Sequence, residues 1–261
     1  MMRIDFSKLL TNGRAVFLAY DQGLEHGPTD FNMSNVNPSY ILDIAKQGKF
    51  NAVILQKGTA EKYYEPYSSD VPLILKINGK SQIPKIAPIS TQICSVKYAV
   101  KLGASAIGYT IYDGSEMEPK IFKDFGRIQE EAHDYGLPVV AWMYARGKAV
   151  HDDVSTEVLA YSARIGLELG ADFIKIKYNG DPEGFKWVVK CAGKAKVFVA
   201  GGLKADSPQV LQNIRQVMDA GASGLAIGRN IWQHPEPMKM TRAIRKIVFD
   251  NKSAEEALKE L

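Results

Sequence analysis

Two lysines stand inside one apolar, β-branched run, FIKIKY, at positions 175 and 177 of a chain of 261 residues. Side chains of an extended strand alternate, so Phe173, Lys175 and Lys177 share one face while Ile174, Ile176 and Tyr178 share the other. If the isoleucine face packs on helices, the lysines point inward, away from water. Desolvation penalises the ammonium form and lowers a lysine pKa, leaving a free amine near neutral pH. Such an amine attacks a ketone to form a Schiff base. A strand lysine can equally be ion-paired or extended to solvent, and Lys177, nearer the strand end, suits contact with a phosphate.

Neighbouring runs carry polar groups in complementary places. In PVVAWMYARG, Trp142, Tyr144 and Arg146 share one face. A phenol beside a basic amine can pass a proton to and from a hydroxyl or carbinolamine. Trp142 also suits a plain core role, as the wall of a pocket. For Tyr144 that role fits less well, because Arg146 is an odd continuation of a core stripe. AYDQGLEHG delivers Asp21 where its apolar run stops, with Glu25 and His26 as lesser candidates. A carboxylate there steadies an iminium or binds a hydroxyl, although aspartate at a strand end is also common turn chemistry. Lys57 in LQKG is either an anion contact or a loop lysine. Further on, AGGLKADSP brings Gly201 and Gly202, and AIGRN brings Gly228 and Arg229. Glycines let backbone N–H groups approach a phosphate, and arginine adds a forked donor.

Positioning these groups requires a regular frame, and the chain supplies one by alternating two textures. Eight short apolar runs read as strands: AVFLAY from Ala15, NAVILQ from Asn51, LILKI from Leu73, SAIGYTI from Ser105, PVVAWMY from Pro138, DFIKIKY from Asp172, KVFVAG from Lys196 and GLAIG from Gly224. Amphipathic segments lie between them, marked by Ile41, Ile44 and Ala45, by Leu159, Ala163, Ile165, Leu167 and Leu169, and by Val210, Leu211, Ile214, Val217 and Met218. The last follows an Asp206–Ser207 cap, with Pro208 suited to the first turn. The phrases LGAS, LGAD and AGAS, at Leu102, Leu169 and Ala220, each fall between a helix and the next strand, where glycine ends the helix in the left-handed conformation. Eight strands interleaved with helices, without a linker-like break, predict an α/β fold: a single (β/α)8 TIM barrel spanning residues 1–261. An open doubly wound sheet is the alternative. Barrels of this kind carry their chemistry at the C-terminal ends of the strands, with a phosphate site after the seventh and eighth.

Composition narrows the function classes. Hydrophobic residues are 46% and charged residues 24%, as in an ordinary globular protein. The net charge of +4 is mild and its lysines and arginines are scattered, which argues against nucleic acid and for a local cationic pocket. Cys94 and Cys191 show neither metal spacing nor a disulfide framework. His26, His133, His151 and His234 are dispersed, and no HExxH or GxGxxG occurs, so no metal or dinucleotide cofactor is expected; His133 and His151 read as surface residues. No run approaches a membrane span, and MMRIDFSKLL lacks the apolar stretch of a signal peptide, so a soluble cytoplasmic protein is expected.

Taken together, AYDQGLEHGP, the WMYARG strand, GADFIKIKYNGDP and AIGRNIWQ resemble the archaeal-type class I fructose-1,6-bisphosphate aldolases of the DhnA/DeoC-like aldolase family, over nearly the whole chain and in order. The resemblance implies metal-independent cleavage of a phosphorylated sugar. It makes Lys175, not Lys177, the Schiff-base lysine, Tyr144 the proton donor and Asp21 the first-strand carboxylate. It also makes Trp142 and Arg146 substrate contacts, Gly201, Gly202, Gly228 and Arg229 the phosphate site, and His26 and Lys57 a second phosphate site. It implies a homo-oligomer, a large ring such as a decamer. YARG stands here where many relatives have YPRG, which frees a backbone angle but removes no chemical group. The family includes an alternative activity, that of 2-amino-3,7-dideoxy-D-threo-hept-6-ulosonate synthase, a transaldolase-like enzyme of aromatic amino acid biosynthesis. Trp142 and the lack of an N-terminal extension favour the bisphosphate aldolases.

Overall fold

All eight apolar runs form strands, and their faces alternate as the side-chain period requires. The computed structural model describes residues 4–202 and 205–261. In it β1 (Ala15–Ala19), β2 (Ala52–Gln56), β3 (Leu73–Lys76), β4 (Ala104–Ile111), β5 (Val139–Met143), β6 (Phe173–Ile176), β7 (Lys196–Ala200) and β8 (Gly224–Ile227) follow one another around a closed barrel. Every ladder is parallel, and β8 closes on β1.

Gly224 lies on the closing seam: a Cβ built there would lie 1.8 Å from the Ala15 carbonyl oxygen, and its φ is 153°. A side chain at this position would force β1 and β8 apart.

Around the barrel run α1 (Pro38–Gln47), α2 (Lys57–Tyr63), α3 (Val96–Lys101), α4 (Glu118–Asp134), α5 (Thr156–Glu168), α6 (Pro182–Cys191), α7 (Ser207–Asp219) and α8 (Pro237–Val248). At α7 the Asp206 carboxylate accepts from the Gln209 N–H and Pro208 occupies the first turn, so the cap forms as its residues predict. The helix-ending glycines Gly103, Gly170 and Gly221 have φ of 74°, 85° and 95°, the left-handed values that LGAS, LGAD and AGAS require.

One amphipathic reading needs correction. On α5 the buried face is Leu159, Ala160, Ser162, Ala163 and Gly166, whereas Ile165, Leu167 and Leu169 are half-buried. Small residues let α5 approach the barrel closely: a Cβ on Gly166 would meet Ile174 at 3.0 Å. His133 is likewise not a simple surface residue. It is half-buried, and its Nε2 lies 2.9 Å from Asp172 Oδ2, which also accepts from the Val139 N–H, tying α4 to the entry of β6. His151 is exposed.

Two apolar layers result. Outward-facing strand residues such as Leu75, Ile107, Ile174 and Ile176 pack on the helices. Inward-facing Phe17, Ile54, Ile74, Val140, Phe173 and Phe198 fill the barrel interior. Phe17 stacks on Phe198 at 4.6 Å between ring centroids, and Phe173 meets both edge-on. Below them Phe6 meets Phe173 at 5.2 Å, and Leu9 and Leu10 pack into the same layer, so the N-terminal segment plugs that end. The interior is therefore dry from its base up to Phe173, two residues below Lys175. Among the described residues no helix is long and apolar enough to cross a membrane.

Candidate active site

At the C-terminal end of the strands the apolar filling gives way to polar side chains lining a cavity of about 610 Å³. Lys175 rises from β6 into this cavity, only 5% exposed, in register with Trp142 on β5. Its ammonium nitrogen lies 4.9 Å from the centroid of the Trp142 ring. Burial, the largest influence, and the Lys76 charge lower the Lys175 pKa, while Asp21 and Glu25 oppose them, leaving it at about 8. The ring that Lys175 faces is itself seated by a missing side chain. A Cβ on Gly108 of β4 would fall 2.6 Å from the Trp142 ring carbons, so only glycine admits the indole. Gly108→Ala is expected to displace the ring, lower kcat, and cost about 1–3 kcal/mol of stability, as overpacking does. Parallel denaturation and steady-state measurements check both effects.

Asp21 lies two residues past β1, 9% exposed, with Oδ2 3.4 Å from Lys76 Nζ. Burial pushes its carboxyl upward, but the Lys175 and Lys76 charges and its hydrogen bonds outweigh burial and hold it below the usual carboxylate range. Lys76 was not singled out from the sequence. It ends β3 facing inward, 4% exposed, with Nζ 4.8 Å from the centroid of the same Trp142 ring. The signal that drew attention to Lys175, a lysine inside an apolar strand, was also present in LILKI.

Tyr144 follows β5, its N–H donating to the Ile111 carbonyl, and shares the cavity with Lys175. Burial and the Asp21 and Glu25 carboxylates push the phenol well above its ordinary pKa, against the smaller pull of Arg146 and Arg229. It is therefore a protonated donor at neutral pH. The Arg146 guanidinium lies 5.8 Å from the Tyr144 ring centroid and 5.2 Å from that of Tyr112. Its Nη1 donates to Glu25 Oε1 at 3.2 Å, and the Tyr112 hydroxyl donates to the same oxygen at 2.9 Å. Lys177 stands at the mouth, half-buried, and donates to Asp153.

The strand 7 and 8 loops form one end of the cavity. Gly201 and Gly228 are tight: a Cβ would lie 2.6 Å from Ile227 Cγ1 at the first and 2.5 Å from the Ala19 carbonyl oxygen at the second. Gly202 has a φ of 65°. Arg229 donates to the Gly202 carbonyl and to Asp30 Oδ1, each at 3.3 Å. His26 Nδ1 lies 2.9 Å from Asp30 Oδ2. Burial raises the Asp30 pKa, but His26 and Arg229 outweigh it and hold the carboxyl below its usual range.

His26 and Lys57 meet different partners. Asp30 ties His26 to Arg229, so the histidine belongs with the glycine loops of β7 and β8. Lys57 does not line the cavity. It opens α2 immediately after Gln56, and this turn sends its side chain into a neighbouring groove, 5.2 Å from the centroid of the Tyr98 ring. The spacing of LQKG carried no sign that a helix would begin at the lysine itself.

The family model for DeoC/LacD family aldolases matches residues 15–234. The chain is 47% identical over 249 residues to a protein of Thermoproteus tenax described as fructose-bisphosphate aldolase class 1, covering 94% of each. It is 40% identical over 260 residues to a protein of the same description from Halobacterium salinarum, covering 99% of each. Among solved structures, an archaeal fructose 1,6-bisphosphate aldolase superposes with a TM-score of 0.90 at 46% identity, covering 94% of this chain and 98% of that one. An archaeal aldolase structure with its catalytic lysine covalently bound to a carbinolamine intermediate gives a TM-score of 0.89 at 46% identity, covering 93% and 97% of the two chains. With the barrel and its motifs matched along almost their whole length, the chain belongs to the DeoC/LacD family of aldolases.

Proposed function

We propose that this protein is a class I, Schiff-base fructose-bisphosphate aldolase, a lyase that reversibly cleaves fructose 1,6-bisphosphate to dihydroxyacetone phosphate and glyceraldehyde 3-phosphate in glycolysis and gluconeogenesis. One observation carries the reading: a buried lysine whose amine is freed near neutral pH opens onto a cavity that also holds a carboxylate and a protonated phenol.

In the forward direction the Lys175 amine adds to the C2 ketone to give a carbinolamine, which loses water to form an iminium. Loss of the C4 hydroxyl proton then drives cleavage of the C3–C4 bond. The bonding pair moves to C3 and into the iminium, forming an enamine, and glyceraldehyde 3-phosphate departs. Protonation at C3 and addition of water release dihydroxyacetone phosphate and restore the amine. Tyr144 carries the proton between these steps, and Asp21 orients hydroxyls and balances the transient positive charge. The iminium is the electron sink, so the proposed route uses no metal or organic cofactor. Trp142 walls the reacting carbons, and Arg146 and Lys177 face the open part of the cavity.

Arg229, with the backbone of Gly201, Gly202 and Gly228, binds one phosphate, and His26 orders that end through Asp30. Arg229→Leu is expected to raise KM for the bisphosphate about 10- to 100-fold, the loss of a charge-assisted hydrogen bond, with a smaller change in kcat. Steady-state kinetics decide it, and an unchanged KM removes Arg229 from the phosphate site. A cytoplasmic homo-oligomer, a ring of ten by resemblance, completes the reading. Exposed Trp187 and Tyr161 supply apolar surface for contacts between copies.

Borohydride added with dihydroxyacetone phosphate tests the whole proposal. A reduced adduct on the peptide containing Lys175 is expected, together with triose phosphate formation from fructose 1,6-bisphosphate alone. The second observation separates the aldolase from a transaldolase-like synthase, and the first from a barrel that binds phosphosugars without reacting.

A further inference from the structure

One buried carboxyl takes no part in the steps above. Asp113 lies two residues past β4, 5% exposed, on the turn that leads into α4. Its Oδ2 accepts from the Ser162 hydroxyl on the buried face of α5, and its Oδ1 has no partner among the described residues. Its main-chain carbonyl accepts from the Arg146 N–H at 2.9 Å. Burial, the largest influence, and the Glu118 charge push the carboxyl up to about 6, against the pull of the Ser162 bond. Between 3.8 and about 6 the folded chain binds more protons than the unfolded one, so stability falls as pH rises through that window. At neutral pH the ionised side chain therefore weakens the fold, and one of its oxygens is left without a hydrogen bond. The use of such a residue lies in what it holds.

Asp113 holds one loop by both ends. The chain leaves β5 at Met143 and enters α5 at Thr156. The Asp113 carbonyl fixes the start of this loop at Arg146, and the carboxylate fixes the helix that follows it. Between these points the loop lies against the turn after β4, backbone to backbone. A Cβ on Gly147 would fall 1.8 Å from the Gly114 carbonyl oxygen, and one on Gly114 would fall 2.7 Å from Val150 Cγ2. The same loop furnishes the mouth of the cavity: Arg146 and Val154 line it, and Asp153 holds Lys177 there. We propose that Asp113 is a positioning residue, which through its bond to Ser162 clamps the 146–155 loop against the barrel and so sets where Arg146 meets the sugar bisphosphate. The inference rests on the aldolase reading above and deepens it. Asp113 touches neither the substrate nor a reacting group. Tyr144 is held separately, by the Ile111 carbonyl of β4, and Lys175 stands on β6. Loosening the clamp therefore moves Arg146 and the partner of Lys177 and leaves the Schiff-base lysine in place.

The test sets steady-state cleavage of fructose 1,6-bisphosphate beside borohydride trapping with dihydroxyacetone phosphate. Both are run on the native protein, Asp113→Ala, Ser162→Ala, their double variant and Asp113→Asn. Either single alanine should raise KM for the bisphosphate about 10- to 100-fold, the effect of misplacing a substrate contact by an ångström. Trapping at Lys175 should keep its native rate, because the triose phosphate is held at the β7 and β8 loops. The double variant should be no worse than Asp113→Ala, since the two side chains make a single bond. Asp113→Asn, which still accepts from Ser162, should return KM close to the native value. Trypsin should cut after Lys148 faster in both alanine variants, a sign of local opening that does not depend on turnover. Native KM in both alanine variants overturns the proposal. Additive losses in the double variant do so too, as does an equal loss of trapping and cleavage, the mark of a general packing defect. If Asp113→Ala does not fold, Ser162→Ala and Asp113→Asn decide it: KM must rise in the first and stay native in the second, and any other pairing overturns the clamp. Absence of any adduct on native Lys175 would instead sink the Schiff-base reading itself, a distinct outcome.

Discussion

Lys175→Met is expected to reduce cleavage of fructose 1,6-bisphosphate by at least about 10⁴-fold, the scale on which loss of a covalent nucleophile acts, and to abolish borohydride trapping. The same substitution should make the protein more stable at neutral pH. Burial depresses the Lys175 pKa from 10.5 to about 8. Between those two values the unfolded chain binds more protons than the folded one, so stability rises with pH across that window. Below about 8 the full cost of burying the amine is present, on the order of 3 kcal/mol as an upper limit. Methionine has similar length and no charge, and it removes this cost. Urea denaturation at pH 7 and pH 10 should show a stabilised variant at the first pH and a smaller gap at the second. A variant that is inactive but no more stable at pH 7 would mean that the amine is solvated in the native protein. A residue that is chemically necessary and thermodynamically unfavourable is what a built active site should contain.

Tyr144→Phe should lower kcat by roughly 100- to 10,000-fold, the range of a general acid/base group. Two features make this loss separable from a folding defect. Phenylalanine preserves the ring that packs beside Arg146, so the melting temperature should barely move. Lys175 is untouched, so trapping with dihydroxyacetone phosphate should still label it. Burial and the Asp21 and Glu25 carboxylates keep the phenol protonated, so its own ionisation should not limit the rate between pH 6 and 9. A variant that turns over near the native rate would take Tyr144 out of proton transfer and leave it as a wall of the cavity.

The site was legible in parts. That Phe173, Lys175 and Lys177 share a face followed from strand periodicity, and the two isoleucines opposite suited packing on helices, which the barrel confirms by burying Ile174 and Ile176 against them. The glycine-bearing ends of the seventh and eighth runs were readable because a parallel barrel leaves those loops at one rim. The direction in which Lys57 leaves the chain was not legible, because a strand end and a helix start look alike in LQKG and one turn of backbone decides it. His26 was assigned beside Lys57, yet Asp30 pairs it with Arg229, a link that spans the two ends of the chain.

Alternation of apolar and polar residues, with glycine at each helix end, was enough to determine eight strands, their inward faces and the rim where chemistry would sit, since these depend only on local geometry and on hiding apolar surface from water. Closure of the barrel decided the rest. It brings Lys76 onto Asp21 from 55 residues away and Arg229 onto Asp30 from 199 residues away. Pairings at such separations leave no local pattern: Asp21 and Lys76 meet across the interior from β1 and β3, and Asp30 meets Arg229 because the last strand closes on the first. The charge balance around Lys175, and with it the reactivity of the amine, is therefore a property of the closed barrel.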